Sequence, residues 1–341
     1  MSTLETKVTG KRNVQQLKDD SASDSEADTR TGSGEDKSPI ILRVAEASSR
    51  LSPQLIQEAH ALQSIIDSRG LRLILHFDLN NTLLLLDSTS GHESLAGTVA
   101  ETLSKCALGL AVRTHRGTVW GGYAENPFVS RGLANEISWY EFQRRIYSSD
   151  AVLKPKAAAF IKTDGSYLQK EFDIMLKQGE DIFVSFYIVR QLFSKALYVF
   201  RSFGKDIALF AKKLEDSCAI DSADDLTICR SHKGIITIPH ETCERHMLPP
   251  MFVEEYLLKD AGQFTAVKED FDWWKLNGKS AQFGKFVCGM EGAFQIGFDD
   301  LDCMEAQGPN AYVHRISTVA AASNPEYFVR LIIDTISKAL M

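Results

Sequence analysis

Leu71-Arg72-Leu73-Ile74-Leu75-His76-Phe77-Asp78-Leu79-Asn80-Asn81-Thr82 is the stretch whose reading decides the fold. Its first half is a nearly continuous apolar run. A sheet with one wet face would alternate apolar and polar residues, so this run reads as a strand of a parallel sheet covered on both faces. It breaks off at Asp78 into polar residues. Upstream, Ser52-Pro53 carries an N-cap and first-turn signal. Leu55, Ala59, Leu62 and Ile66 then fall on one helical face, and Gly70 stands where a C-terminal glycine belongs.

Working outward, further strands are expected at Leu197–Arg201, Ile235–Ile238, Phe294–Phe298 and Ala311–Ile316. Helical patterns intervene, notably Asp206–Leu214. The chain closes on an amphipathic helix: Asn324-Pro325 marks its start, and Phe328, Leu331, Ile332, Thr335 and Ile336 share one face. Strands alternating with helices predict an α/β fold with a doubly wound parallel-sheet core. Such sheets bind ligands beyond the carboxyl ends of their strands, which points to Asp78, Ser202 and Asp299.

Composition narrows the function classes. The 341 residues are 44% hydrophobic and 24% charged, in the range of globular proteins, with a net charge of −7. That acidity speaks against a nucleic-acid partner, because a phosphate backbone calls for concentrated positive charge. No apolar run approaches the ~20 residues needed to span a bilayer, so no membrane partner is expected. The start shows no secretory core, and the six cysteines have no C-x-x-C pair. A cytoplasmic protein with reduced thiols is the expectation. His240, Cys243 and His246, with His232 upstream, match no common zinc spacing and read as a polar loop.

Three regions are expected. Residues 1–39 hold the acidic, serine-rich run DDSASDSEADTRTGSGEDKS, which cannot bury enough surface to offset the entropy of ordering, and read as a disordered tail. Residues 40–88 and 192–341 form the core. Residues 89–191, rich in aromatics such as Trp120, Tyr123, Trp139, Tyr140, Phe142 and Tyr147, read as an inserted cap subdomain in which most rings are packed. A second, smaller insertion is expected between Cys218 and Asn277.

Phosphoryl transfer to a carboxylate needs a nucleophilic Asp at a strand end, a hydroxyl and a cation for the transferred oxygens, a carboxylate that helps hold a metal, and an acid for the leaving group. The first three have candidates. Phe77-Asp78-Leu79-Asn80-Asn81-Thr82 resembles motif I of the haloacid-dehalogenase (HAD) superfamily, Asp-x-Asp-x-Thr. Leu197–Ser202 resembles motif II, a hydrophobic strand ending in Ser or Thr. Lys285, in Phe283-Gly284-Lys285-Phe286, fits the motif III lysine, and Lys279 competes with it. Phe294–Asp300 resembles motif IV, a strand ending in paired acids. The likeness covers roughly residues 70–90, 195–215 and 280–340.

The resemblance implies a Rossmann-like HAD core and a Mg²⁺-dependent hydrolase that acts on a phosphorylated small molecule or phosphoprotein. Asp78 would be the nucleophile and a Mg²⁺ ligand, with the Asn80 carbonyl as a second ligand. Ser202 would bond a phosphoryl oxygen, Lys285 would neutralise charge, and Asp299 with Asp300 would complete the metal site. Plainer readings stay open: Asp78 as a turn cap, Ser202 as N-cap of the helix at Asp206, and Asp299-Asp300-Leu301-Asp302 as an acidic loop.

The departure from the pattern is Asn80, which stands where the family has its general acid/base. An amide cannot exchange a proton near neutral pH, and the missing help is worth ~10²–10⁴ in rate. Three outcomes fit: a slow phosphatase with another acid, an enzyme for activated acyl or aryl phosphates, or a catalytically silent relative that binds metal or phosphate.

Overall fold

The structure, a computed structural model, describes residues 39–85, 94–179, 181–239 and 243–340. Residues 1–38 of the expected tail and His240 lie outside them, while Pro39, expected in the tail, begins a helix. The strands are β1 (Arg72–Asp78), β2 (Leu108–Thr114), β3 (Gly117–Gly122), β4 (Glu136–Ser138), β5 (Leu197–Ser202), β6 (Thr227–His232), β7 (Ile235–Ile238), β8 (Arg245–Met247), β9 (Phe264–Lys268), β10 (Lys285–Cys288), β11 (Ala293–Asp299), β12 (Met304–Gln307) and β13 (Ala311–Arg315). Eight of them form one sheet in the order β13-β11-β1-β5-β9-β6-β7-β8. The run from β13 to β6 is parallel, and β7 and β8 add an antiparallel edge. This is a mixed α/β architecture, compatible with a Rossmann-like fold.

The helices are α1 (Pro39–Ser49), α2 (Pro53–Ser68), α3 (Leu95–Cys106), α4 (Trp139–Arg144), α5 (Asp150–Lys162), α6 (Gln169–Gln178), α7 (Val184–Leu192), α8 (Ile207–Asp216), α9 (Pro249–Met251), α10 (Phe271–Leu276), α11 (Thr318–Ser323) and α12 (Tyr327–Leu340). Helix α2 forms as its sequence dictates. Ser52 Oγ accepts from the Leu55 N–H at 3.1 Å, Leu55, Ala59, Leu62 and Ile66 are buried, and Gly70 takes the left-handed φ of +67° that closes the helix. Among the described residues no helix is long and apolar enough to cross a membrane.

The alternation of β1 side chains divides the core. Leu73, Leu75 and Phe77 join the larger cluster with Tyr198, Phe200, Phe298 and residues of α2, α7, α8 and α12. Phe77 is held there by stacking on Phe298, with ring centroids 4.9 Å apart, and by edge contacts from Phe186 and Phe328. Ile74 faces the other way, with Leu197, Val199, Cys229 and Val267, beneath a π-helical turn over Phe252–Leu257. Both faces are covered, which is why β1 reads as unbroken apolar sequence.

One expectation about organisation needs correction. The stretch from Cys218 to Asn277, expected to hold a small insertion, instead supplies β6, β7, β8 and β9 to the main sheet. Strand β9 lies between β5 and β6, yet its five residues, Phe264-Thr265-Ala266-Val267-Lys268, sit between polar neighbours and carry a weak signal. A separate cap at 89–191 is not shown: the described residues fall in one compact unit. Residues 94–191 do carry their own three-stranded sheet, β3-β2-β4. However, Val99, Leu103, Trp139, Tyr140, Phe160 and Phe186 belong to the same cluster as β1, and α7 packs on α1 and α12. The aromatics are core residues as expected: Tyr123, Trp139, Tyr140 and Phe142 are buried, and Trp139 stacks on Phe160 at 4.4 Å.

Candidate functional site

Asp78, Ser202 and Asp299 are the last residues of β1, β5 and β11, which are neighbours in the parallel sheet, so all three lie at one carboxyl edge. The chain reaches β5 and β11 on opposite sides of β1, the kind of switch at which open α/β sheets leave a crevice for ligands. Lys285 arrives from outside the sheet. It begins β10, which pairs parallel with β12 in a two-stranded ribbon, and its N–H donates to the Cys303 carbonyl at 2.8 Å. A Cβ at Gly297 would come within 2.4 Å of Met304 Sδ on β12, so the bare α-carbon on β11 lets the ribbon lie close.

The Lys285 ammonium donates to Asp78 Oδ1 and, at 2.9 Å, to Asp299 Oδ2. All three side chains are buried. Asp299 is held on its other side by the Leu301 N–H at 2.8 Å, and the Cys303 thiol lies 3.2 Å from its Oδ2. Thr82 Oγ1 donates to Asp78 Oδ2 at 3.3 Å. Asp300 is half-buried beside them, and Asp78, Asp299 and Asp300 offer carboxylate oxygens within 4.8 Å of one another. Among the described residues this is the one grouping of three or more His, Cys, Asp or Glu so placed. An all-oxygen set of this kind suits a hard cation such as Mg²⁺. The described members of the other candidate group do not assemble: His232 Nδ1 pairs with Asp270 at 2.9 Å, His246 Nδ1 with Thr237 Oγ1 at 3.0 Å, and Cys243 is exposed.

One ammonium facing three carboxyl groups leaves the site short of positive charge. Burial pushes the Asp78 carboxyl up to about 6; Lys285 opposes this and Asp299 adds to it. Burial, then the negative charges of Asp78 and Asp299, hold Asp300 well above the ordinary carboxylate range. Burial works against the Lys285 ammonium, but the Asp78 and Asp299 carboxylates outweigh it and keep its pKa above the ordinary lysine value. Burial likewise keeps the Cys303 thiol protonated, so it stands as a donor to Asp299.

The segments that follow β1 and β5, beside Asn80 and Ser202, are tied together. After β1 the chain turns tightly, with the Leu83 and Leu84 N–H groups donating to the Leu79 carbonyl and Asn81 at φ +58°. The Asn80 amide donates through Nδ2 to Asp206 Oδ2 at 2.9 Å. Asp206 is the buried residue just before α8, and its other oxygen, like Asn80 Oδ1, is buried without a partner. A Cβ at Gly204 would fall 2.2 Å from Asp206 Oδ2, so glycine is what allows this carboxylate to tuck under the loop. Ser202 Oγ accepts from the Gly204 N–H at 2.9 Å, so it orders the loop and does not cap α8.

Lys279, the rival to Lys285, is exposed at φ +59°, its ammonium 5.8 Å from the Trp274 ring, away from the carboxylates. Sequence reasoning missed Asp206 and Cys303. Asp206 read as a helix start, and Cys303 as a scattered thiol; only the pairing of distant segments brings them to Asn80 and Asp299. With this geometry in hand, comparison with family models, with curated proteins and with solved structures finds no match to the chain.

Proposed function

We propose that this chain is a HAD-like hydrolase, a phosphatase that acts through a phospho-aspartate on Asp78. The observation that carries the reading is the contact of one buried lysine, Lys285, with two strand-end carboxylates, Asp78 and Asp299, at the carboxyl edge of a parallel sheet. A carboxyl near 6 is mostly ionised at neutral pH, as a nucleophile must be. Asp78, Asp299 and Asp300, with the Asn80 carbonyl, would hold Mg²⁺. When bound, the ion neutralises charge on the phosphoryl oxygens. Lys285 supplies the fixed positive charge beside the nucleophile, and Ser202 a hydroxyl for a transferred oxygen.

A second reading has its own observation. Asn80 has no proton to give, and its amide N–H is already engaged by Asp206. A protein that binds Mg²⁺ or phosphate at Asp78–Asp299 without turnover fits that fact. A screen of the full chain with acyl, aryl and alkyl phosphates, with and without Mg²⁺, separates the two. The phosphatase reading expects Mg²⁺-dependent release of phosphate that Asp78→Asn abolishes. No release from any substrate, together with a melting temperature that rises with Mg²⁺, would hand the case to the binding protein. Full activity in Asp78→Asn would exclude Asp78 as the nucleophile.

A further inference from the structure

Immediately after Ser202 three aromatic rings gather near the surface, one exposed and two half-buried. Phe203 stacks on Trp274 with ring centroids 4.9 Å apart and meets Phe271 edge-on at 6.0 Å, and Phe271 lies 5.8 Å from Trp274. Phe203 and Trp274 are half-buried, while Phe271 is 44% exposed. Side chains of this size are ordinarily withdrawn from water, and rings left partly exposed together can serve recognition. Its location gives it a purpose. The Lys285 ammonium that touches Asp78 and Asp299 also lies 5.3 Å from the centre of the Phe203 ring. The aromatic cluster therefore begins where the proposed phosphoryl site ends. The exposed Lys279 ammonium lies 5.8 Å from the Trp274 ring.

We propose that Phe203, Phe271 and Trp274 form the leaving-group subsite, and that the substrate is a phosphorylated phenol, an aryl phosphate. The inference rests on the phosphatase reading and names its substrate class. Two independent features point the same way. The rings offer stacking and edge contacts to another ring. Asn80 offers no proton, and an aryl oxygen needs one far less than an alkyl oxygen does: a phenol has a pKa of about 10, far below that of an alkyl alcohol. In the reaction, a carboxylate oxygen of Asp78 attacks phosphorus, and the bond from phosphorus to the aryl oxygen breaks. The electron pair leaves on that oxygen, which takes its proton from water. A second water then attacks the phosphorus of the phospho-aspartate. Its bond to Asp78 breaks, inorganic phosphate departs and the carboxylate is regenerated.

Binding tests this without requiring turnover. With Mg²⁺ present, the full chain should bind phenylphosphonate more tightly than methylphosphonate, by about 2- to 10-fold for each ring engaged. Trp274→Ala and Phe271→Ala should each pull that ratio toward one, and Trp274→Phe should restore most of it. Equal affinity for the two phosphonates, or a preference that survives both alanine variants, overturns the subsite. Turnover then separates the two ideas. Phenyl phosphate should be hydrolysed with a higher kcat/KM than acetyl phosphate, which needs no acid but has no ring; the reverse order overturns the proposal. Free phosphotyrosine against a phosphotyrosyl peptide distinguishes a small-molecule from a protein source of the ring. Selective phenylphosphonate binding with no hydrolysis of any substrate would sink the phosphatase reading and leave the ring-binding subsite standing.

Discussion

Two buried groups of charges lie near the same edge of the sheet, and they are built on opposite principles. On the β5–β9 side, Arg201 donates through Nε to Glu269 Oε1 at 2.6 Å, and a further guanidinium nitrogen donates to the Phe286 carbonyl. One cation meets one anion through Nε and Nη2, both are buried, and Nη1 donates to the backbone. On the β1–β11 side, Lys285 faces Asp78, Asp299 and Asp300 together. The first group is closed electrostatically and has no call for a ligand. The second carries excess negative charge in a sheltered place, which raises two of its carboxyl pKa values and leaves room for a cation. Burial alone therefore does not distinguish a site from a structural pair, whereas the balance of charge does.

The largest expected effect breaks the balanced side. Glu269→Gln leaves the Arg201 guanidinium buried without its counter-charge and should cost roughly 3–5 kcal/mol of unfolding free energy in denaturant melts. Arg201→Met with Glu269→Leu should recover most of that loss, because the desolvation of both charges disappears together. A Glu269→Gln protein as stable as the parent would show that the pair is not closed in the way described.

The next prediction concerns the join between the Asn80 and Ser202 loops. Asn80→Asp would set a second carboxylate where Asp206 accepts a hydrogen bond at 2.9 Å, and should cost about 1.5–3 kcal/mol. Adding Asp206→Asn restores a donor–acceptor pair with the carboxylate moved to position 80, and stability should return. Additive losses in the double variant would argue that the Asn80–Asp206 contact has no energetic weight.

His76 lies between the two groups, on β1. Burial first, then the charge of Arg201, pushes its pKa down to about 3. Its Nε2 is 3.0 Å from Gln295 Oε1, and Gln295 donates its own amide to the Cys288 carbonyl, so the neutral ring carries its proton on Nε2. Between the unfolded value near 6.5 and about 3, the unfolded chain binds a proton that the folded one refuses. Stability from this group is thus complete above 6.5 and is lost as pH falls toward 3, by at most about 1.4 kcal/mol per pH unit. His76→Phe should flatten that slope when melts of the two proteins are compared from pH 7 to pH 4. Parallel curves would mean that His76 titrates freely.

The smallest effect sharpens the unbalanced side. Asp300→Asn removes one of three crowded carboxyl groups and should raise metal-free stability by roughly 1 kcal/mol, as relief of strain at functional sites often does. On the proposed reading, in which Mg²⁺ binds here and raises the melting temperature, the same change should shrink that rise. A metal-free loss of stability, or an unchanged response to Mg²⁺, would show that Asp300 stands apart from the cluster.

How much of this was legible beforehand depends on how far the relevant contact lies along the chain. The apolar runs of β1, β5 and β11 declare themselves because a strand buried on both faces must be apolar along its length. Their polar ends at Asp78, Ser202 and Asp299 follow from where such strands stop. The membership of β9 was not legible, since five residues between polar neighbours resemble a loop until flanking strands bury them. Nor was the merging of residues 94–191 into the main core, because aromatic-rich sequence specifies that rings will be packed but not against what.

The amino-acid sequence by itself determined the alternation of strands and helices, the cap and face of α2, and the residue types available at each strand end. Those are properties of local periodicity and of single side chains, and they need no partner to be read. Tertiary structure alone decided that Lys285, and not Lys279, meets Asp78, although 207 positions separate the two. It also decided that Asp206 holds Asn80 and that three rings gather beside Ser202. The physical reason is that electrostatic and packing energies depend on distance through space, which chain order does not encode until the sheet has set its strands side by side.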